Sequence, residues 1–179
     1  MTIRARLAHT AELDPAELRT VRALLDDAFD GDFSDEDWDH GLGGMHVLLY
    51  DGAGLAAHGS AVMRRVRHRG RWLRAGYVEA VAVRADVRRT GLGGRVMAEL
   101  ERLIDRAYDL GALAASDEGA LLYTARGWQR WAGRLHALSP DGIVRLPEEE
   151  GYVYVRPALA GTLDPTGDLV LDWRDGDVT

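Results

Sequence analysis

Tyr77-Val78-Glu79-Ala80-Val81-Ala82-Val83-Arg84-Ala85-Asp86-Val87-Arg88-Arg89-Thr90-Gly91-Leu92-Gly93-Gly94 carries the strongest structural signal in the chain. Its first half is an apolar, valine-rich run with the character of a strand. Its second half is a glycine-rich loop. Val96, Leu100, Leu103, Ile104 and Ala107 then share one face of a helix that Leu110-Gly111 ends. The first amides of a helix lack partners and lie at the positive end of its dipole. Glycine lets a backbone approach a bound anion closely. Arg88-x-x-Gly91-x-Gly93 therefore reads as a pyrophosphate cradle, with Arg84, Arg88 and Arg89 as countercharge. An ordinary strand-to-helix turn also uses glycine, so the loop alone leaves both readings open. The dinucleotide fingerprint of three spaced glycines is missing, and a chain without lysine has no lysine phosphate loop.

Upstream, Ile3 to His9 alternates apolar and polar residues and reads as a strand. Asp14-Pro15 caps and starts a helix that runs to about Phe29. Ser34 with Asp37 has capping-box spacing and starts a short second helix, ending at Gly43-Gly44. Met45 to Tyr50, Leu55 to Arg67 and Trp72 to Val83 are strands, the first two joined by an Asp51-Gly52 turn. Downstream, Ala112 to Ala115 is a short strand, Glu118 to Arg126 a helix closed by Gly127, and Trp128 to Leu138 and Tyr152 to Arg156 further strands. Residues 140–151 and everything after Pro157 read as loop or tail. Antiparallel strands precede one strand-loop-helix crossover, so the expected class is α/β (α+β): a mixed, mostly antiparallel sheet with flanking helices. Residues 1–179 are expected to form a single domain, with 157–179 as a C-terminal tail closing the substrate site.

The chain has no cysteine, which excludes disulfides, thiolate metal sites and a cysteine nucleophile. All 22 basic residues are arginine, so lysine Schiff-base chemistry is excluded too. No metal-ligand spacing links His9, His40, His46, His58, His68 and His136. His46 and His58 read as core or surface residues of strands. No apolar run approaches the ~18 residues of a membrane span, and the polar N-terminus is not a secretory signal, so the expected setting is cytoplasmic. Net charge is -7, opposite to that of most nucleic-acid binders.

The charge is segregated. Six carboxylates lie between Asp30 and Asp39, three at Glu148 to Glu150, and five in the last 16 residues, while nine arginines fall between Arg64 and Arg89. Acidic segments around a basic middle suit one cationic and one anionic partner.

Val81-Ala82-Val83 followed by Arg88-Arg89-Thr90-Gly91-Leu92-Gly93 resembles the acyl-coenzyme A motif of the GCN5-related acetyltransferases. Gly31-Asp32-Phe33, Asp37-Trp38-x-His40, Gly76-Tyr77-Val78-Glu79, Leu121-Leu122-Tyr123 and Asp172-Trp173-Arg174-x-Gly176-Asp177-Val178 further resemble the actinobacterial aminoglycoside 2'-N-acetyltransferases. The resemblance implies acetyl-coenzyme A as co-substrate, without a metal. A bulged, splayed strand would offer Val81, Ala82 and Val83 to the pantetheine arm, and Arg88, Arg89, Thr90, Gly91, Leu92 and Gly93 would take the pyrophosphate. Asp32, Asp37, Glu79, Ala80, Glu149 and Asp177 would contact a polycationic aminoglycoside. It also implies a homodimer through the later strands, no nucleic-acid or membrane partner, and a role in drug resistance.

Acetyl transfer needs a base for the amine, a donor for the acetyl oxygen and an acid for the leaving thiolate. Glu79 lies two residues before Val81, so an unbroken strand puts both side chains on one face. It is the candidate base through ordered water, or a substrate ion pair, or both. The Val81 N–H is the candidate oxyanion donor. Tyr123 is the candidate acid by resemblance, since a phenol with a pKa of about 10 suits donation to a thiolate; its alternative is a packed core tyrosine. Asp35, Glu36, Glu148 and Glu150 read as solvated or capping groups. No nucleophile is evident, so transfer is expected to be direct, in a ternary complex. The chain departs from the family pattern at Thr179, where the family ends in tryptophan, at Ala114, where a serine stands, and in the glutamates of the acidic loop. Two alternatives stay open: an acetyltransferase for a cell-wall amino sugar or polyamine, and a protein that binds aminoglycosides without turnover.

Overall fold

The computed structural model describes residues 2–179, and the side chains of all of them except Asp117 and Glu118. The chain divides into two compact units, Met1–Val62 with Val78–Arg102, and Met63–Tyr77 with Leu103–Thr179.

In the first unit, β1 (Arg4–His9) runs antiparallel to β2 (Met45–Asp51), and β2 antiparallel to the first part of β3 (Gly54–His68). Between β1 and β2 lie α1 (Pro15–Ala28) and α2 (Asp35–His40). Both helices begin where local chemistry says they must. The Asp14 carboxylate accepts from the amides of Ala16 and Glu17, and Pro15 occupies the first turn, where a missing N–H costs nothing. Ser34 and Asp37 form a reciprocal capping box. Val21, Leu24 and Leu25 of α1 bury against Ala8, Leu48, Leu55 and Ala82, with Phe33 and Trp38 packed at the margin.

β4 (Arg71–Val83) returns from β3 and is followed by α3 (Leu92–Ala107). Gly59 of β3 lets α3 sit close to the sheet. A Cβ there would come within 2.6 Å of Val96 Cγ1 and 3.2 Å of Leu100 Cδ1. Gly59→Ala must push these side chains off their rotamers. It is expected to cost about 1–3 kcal/mol, read as a lowered urea midpoint with an unchanged slope.

In the second unit, β4 pairs parallel to β5 (Leu110–Ala114) over Ala75–Tyr77 only. α4 (Asp117–Ala125) follows β5. β6 (Gln129–Arg130) and β5 both pair antiparallel to β9 (Val153–Pro157). The end of β3 pairs antiparallel to β10 (Leu169–Asp172), and β10 lies parallel to β7 (Leu135–Ser139), which pairs with β8 (Gly142–Arg145). The expected mixed, mostly antiparallel sheet is present.

Three expectations are corrected. Trp128 to Leu138 is not one strand. It breaks at Gly133, whose missing Cβ lets residues 166–167 lie against its backbone, and this turn separates β6 from β7. Residues 140–151 are not all loop. Gly142 adopts φ 119° and the Ser139 hydroxyl donates to its carbonyl, making a tight turn into β8. The stretch after Pro157 is not all tail, because Leu169 and Leu171 are fully buried in β10.

Candidate active site

The predicted site residues fall in both units. In the first, Glu79 to Val83 form the end of β4, and the strand is distorted at Ala80. Ala80 is left-handed, with φ 51°. L-residues avoid this region because Cβ crowds the next carbonyl, at about 1–2 kcal/mol. The alternation expected to put Glu79 and Val81 on one face requires extended backbone, so their shared face does not follow from the spacing. The side chains of Ala80 and Ala82 pack against the α1 core. Ala82 is buried, so any contact it makes with a ligand is through the backbone. Two side chains of β3 hold this bend: His58 Nδ1 lies 3.0 Å from the Ala80 carbonyl and Ser60 Oγ 3.4 Å from that of Glu79.

After β4 the loop turns through a left-handed Arg89 (φ 62°) and Gly91 (φ 87°) into α3. Arg95 N–H donates to the Gly91 carbonyl at 3.1 Å. Amides ahead of that first turn have no carbonyl within the helix to bind. The Thr90 hydroxyl donates to Val87 at 2.7 Å, bracing the loop. Arg88 folds back, its guanidinium donating to the carbonyls of Val83 and Ala28 at 3.2 Å each. Arg84 differs from expectation. Its guanidinium is bound by Asp86 and Asp51 and by the Leu55 carbonyl, and these bonds raise its pKa and hold both carboxyls below the usual range. It braces the end of β4 and is not free countercharge. Asp32 is exposed beside the stacked Phe29 and Phe33 rings. Asp37 uses Oδ2 in the capping box, and a carboxylate has lone pairs to spare for a second partner.

In the second unit, Tyr123 of α4 is buried, edge-on to Trp128 and tilted against Tyr154. Burial pushes its phenol up to about 12. It is therefore a hydroxyl at any working pH, and a weaker acid than an ordinary tyrosine. Glu149 stands in a short turn, its Oε2 accepting from the Thr179 hydroxyl at 2.6 Å.

The C-terminal segment is anchored by residues that sequence reading missed. Arg64, 4% exposed, donates to Asp172 Oδ1 at 2.8 Å, to the Asp172 carbonyl at 2.7 Å and to the Val178 carbonyl at 2.6 Å. Arg174 donates to the carbonyls of Asp177 and Thr179. The guanidinium carbons of Arg64 and Arg174 lie 4.7 and 5.4 Å from the Tyr77 ring centre. The Asp177 side chain is left exposed. A lone arginine in a strand carries no sequence signal of such a role.

Residues 9–131 match the family model described as the acetyltransferase (GNAT) domain. Among solved structures, YhbS from Escherichia coli, determined in complex with CoA, superposes with a TM-score of 0.67 at 21% identity, over 98% of this chain and 92% of that one. Escherichia coli ElaA gives 0.59 at 17% identity, over 87% and 99%. This fold and this sequence match define a GNAT acetyltransferase. Within that class the chain is 47% identical, over 97% of its length and 91% of the relative's, to the aminoglycoside 2'-N-acetyltransferase of Mycolicibacterium fortuitum, and it belongs to that enzyme's family.

Proposed function

We propose that the protein transfers the acetyl group of acetyl-coenzyme A to the 2'-amine of an aminoglycoside, directly and in a ternary complex, and so confers resistance to the drug. The near full-length likeness to the Mycolicibacterium fortuitum enzyme carries this reading. The geometry of the first unit supports the co-substrate. Left-handed Arg89 and Gly91 lead into the first turn of α3, whose leading amides have no carbonyl within the helix to bind, and a Cβ at Gly91 would meet no described atom within 4 Å, leaving the loop open to an anion. Arg88 to Gly93 would hold the pyrophosphate, and the backbone of Val81 to Val83 the pantetheine arm. When bound, the thioester supplies the acetyl group and a thiolate leaving group.

The chain's residues divide the remaining work. Asp32, Asp37, Glu149 and Asp177 attract the ammonium groups of the drug. Ala80 offers it a backbone group. Glu79 accepts the proton that the amine loses as its nitrogen bonds to the acetyl carbon. The Val81 N–H stabilises the oxygen that gains charge. Tyr123 hydrogen-bonds the sulfur as the carbon–sulfur bond breaks. Burial pushes this phenol up to about 12, which makes complete transfer of its proton to the thiolate unfavourable, so a shared proton is its stronger contribution. Tyr123→Phe is expected to lower kcat about 10- to 100-fold with little change in KM for the drug, measured by steady-state kinetics. Exposed Ile143 and Val144 on β8 give an apolar edge through which two copies would pair.

A continuous thiol-release assay with acetyl-coenzyme A and an aminoglycoside tests the reading. Release that requires the drug supports it. Tight drug binding without release would instead mark a sequestering protein. A faster rate with a polyamine than with any aminoglycoside would move the substrate to that class.

A further inference from the structure

Two histidines occupy the apolar interior of the first unit. His46 on β2 and His58 on β3 are each 1% exposed. Their rings are joined, His46 Nδ1 to His58 Nε2 at 2.9 Å. At one end of the pair, His58 Nδ1 lies 3.0 Å from the Ala80 carbonyl. At the other, His46 Nε2 lies 2.8 Å from the Thr10 hydroxyl, which also accepts from the Gly43 amide at 2.9 Å.

Donor and acceptor chemistry assigns the protons. A carbonyl only accepts, so His58 Nδ1 carries a hydrogen. A neutral His58 then accepts at Nε2, so His46 Nδ1 also carries one. His46 Nε2 is left to accept from the Thr10 hydroxyl. The weaker alternative for that hydroxyl is the Gly44 carbonyl at 3.3 Å. One arrangement, with both rings neutral and protonated on Nδ1, satisfies every contact. Burial favours neutral rings, pressing His46 to about 4 and His58 to about 3.

The far end of this hydrogen-bonded chain is the carbonyl of left-handed Ala80. The 80–81 peptide is trans and planar, so the Ala80 C=O and the Val81 N–H point in opposite directions. Holding the carbonyl aims the amide. A hydrogen bond on the carbonyl also polarises the peptide and strengthens its N–H as a donor. Ser60, two residues from His58 on the same strand, binds the preceding carbonyl of Glu79. β3 thus binds both carbonyls around the left-handed residue of β4 with alternate side chains, His58 and Ser60.

We propose that His58, backed by His46 and Thr10, is a positioning residue for acetyl transfer, holding the Ala80 carbonyl so that the Val81 N–H faces the acetyl oxygen. The inference rests on the transferase reading of Val81. It does not place either ring against substrate.

The test compares the parent with His58→Leu, His58→Asn and Thr10→Val. Asparagine presents an N–H close to the position of the imidazole Nδ1, and leucine presents none. Removing an oxyanion donor costs about 10²–10³ in kcat, so misaiming one is expected to cost His58→Leu about 10-fold or more, with KM for the drug nearly unchanged. His58→Asn should recover most of that loss, and Thr10→Val should lose about 3-fold. Nitrogen NMR of the parent rings should show both histidines protonated on Nδ1. A folded His58→Leu within about twofold of the parent, or His58→Asn as impaired as His58→Leu, overturns the proposal. If His58→Leu does not fold, an Nε2–H tautomer at His58 or an unimpaired Thr10→Val overturns it. A parent that releases no thiol while both rings are protonated on Nδ1 overturns the transferase reading instead.

Discussion

Glu79→Gln is expected to lower kcat by about 10²- to 10³-fold, with the affinity for acetyl-coenzyme A unchanged. A drug ammonium has no lone pair until it loses a proton, and the nitrogen that bonds to the acetyl carbon becomes positively charged and must shed another to leave a neutral amide. A carboxamide has nearly the shape of the carboxylate and still hydrogen-bonds, but it does not accept that proton. Glu79 is half-buried, next to left-handed Ala80 and two residues from the Val81 amide. The proposed base and the proposed oxyanion donor therefore flank one left-handed residue. A second job for Glu79, pairing with a drug ammonium, makes a different prediction. Loss of an ion pair formed equally in ground and transition states raises KM and leaves kcat alone. Steady-state kinetics with varied drug at saturating acetyl-coenzyme A separates the two. An unchanged kcat would remove Glu79 from the chemistry.

Arg64→Met is expected to destabilise the protein by about 3 kcal/mol, the low end of the cost of breaking a buried pair, because Asp172 is partly hydrated. The methionine replaces the stem of the side chain but none of its three hydrogen bonds. The Val178 carbonyl loses its Arg64 donor in a buried place, and the Asp172 carboxylate keeps the Arg65 amide. A lowered urea midpoint checks the cost, and early cleavage of the C-terminal residues by a protease checks where it falls. A midpoint equal to the parent's would show that β10 holds the C-terminus without Arg64.

What the sequence made legible was local or periodic. Capping at Asp14 and Ser34 depends on residues three apart, so the helix starts are readable without knowing the fold. The apolar stripe of α3 and the glycine loop ahead of it are equally local. The missed features depend on distant partners. β10 is four residues long among aspartate, proline and glycine, and only β3 and β7 make Leu169-Val170-Leu171 a strand. Arg84 reads as countercharge until Asp51 is brought to it from 33 residues away. Arg64 and Val178 are 114 residues apart. His46 and His58 read as plain strand residues, because their meaning lies in the order in which they touch Thr10, each other and Ala80. The bend at Ala80 also defeats the alternation rule that any strand reading relies on.

The most direct measurement of the central claim pairs two aminoglycosides that differ only at the 2' position, one with an amine and one with a hydroxyl. Each is given to the protein with acetyl-coenzyme A, and thiol release is followed in time. The expected result is rapid release with the 2'-amine and none above background with the 2'-hydroxyl. Equal rates with both drugs, or release with neither, would contradict acetyl transfer to the 2'-amine.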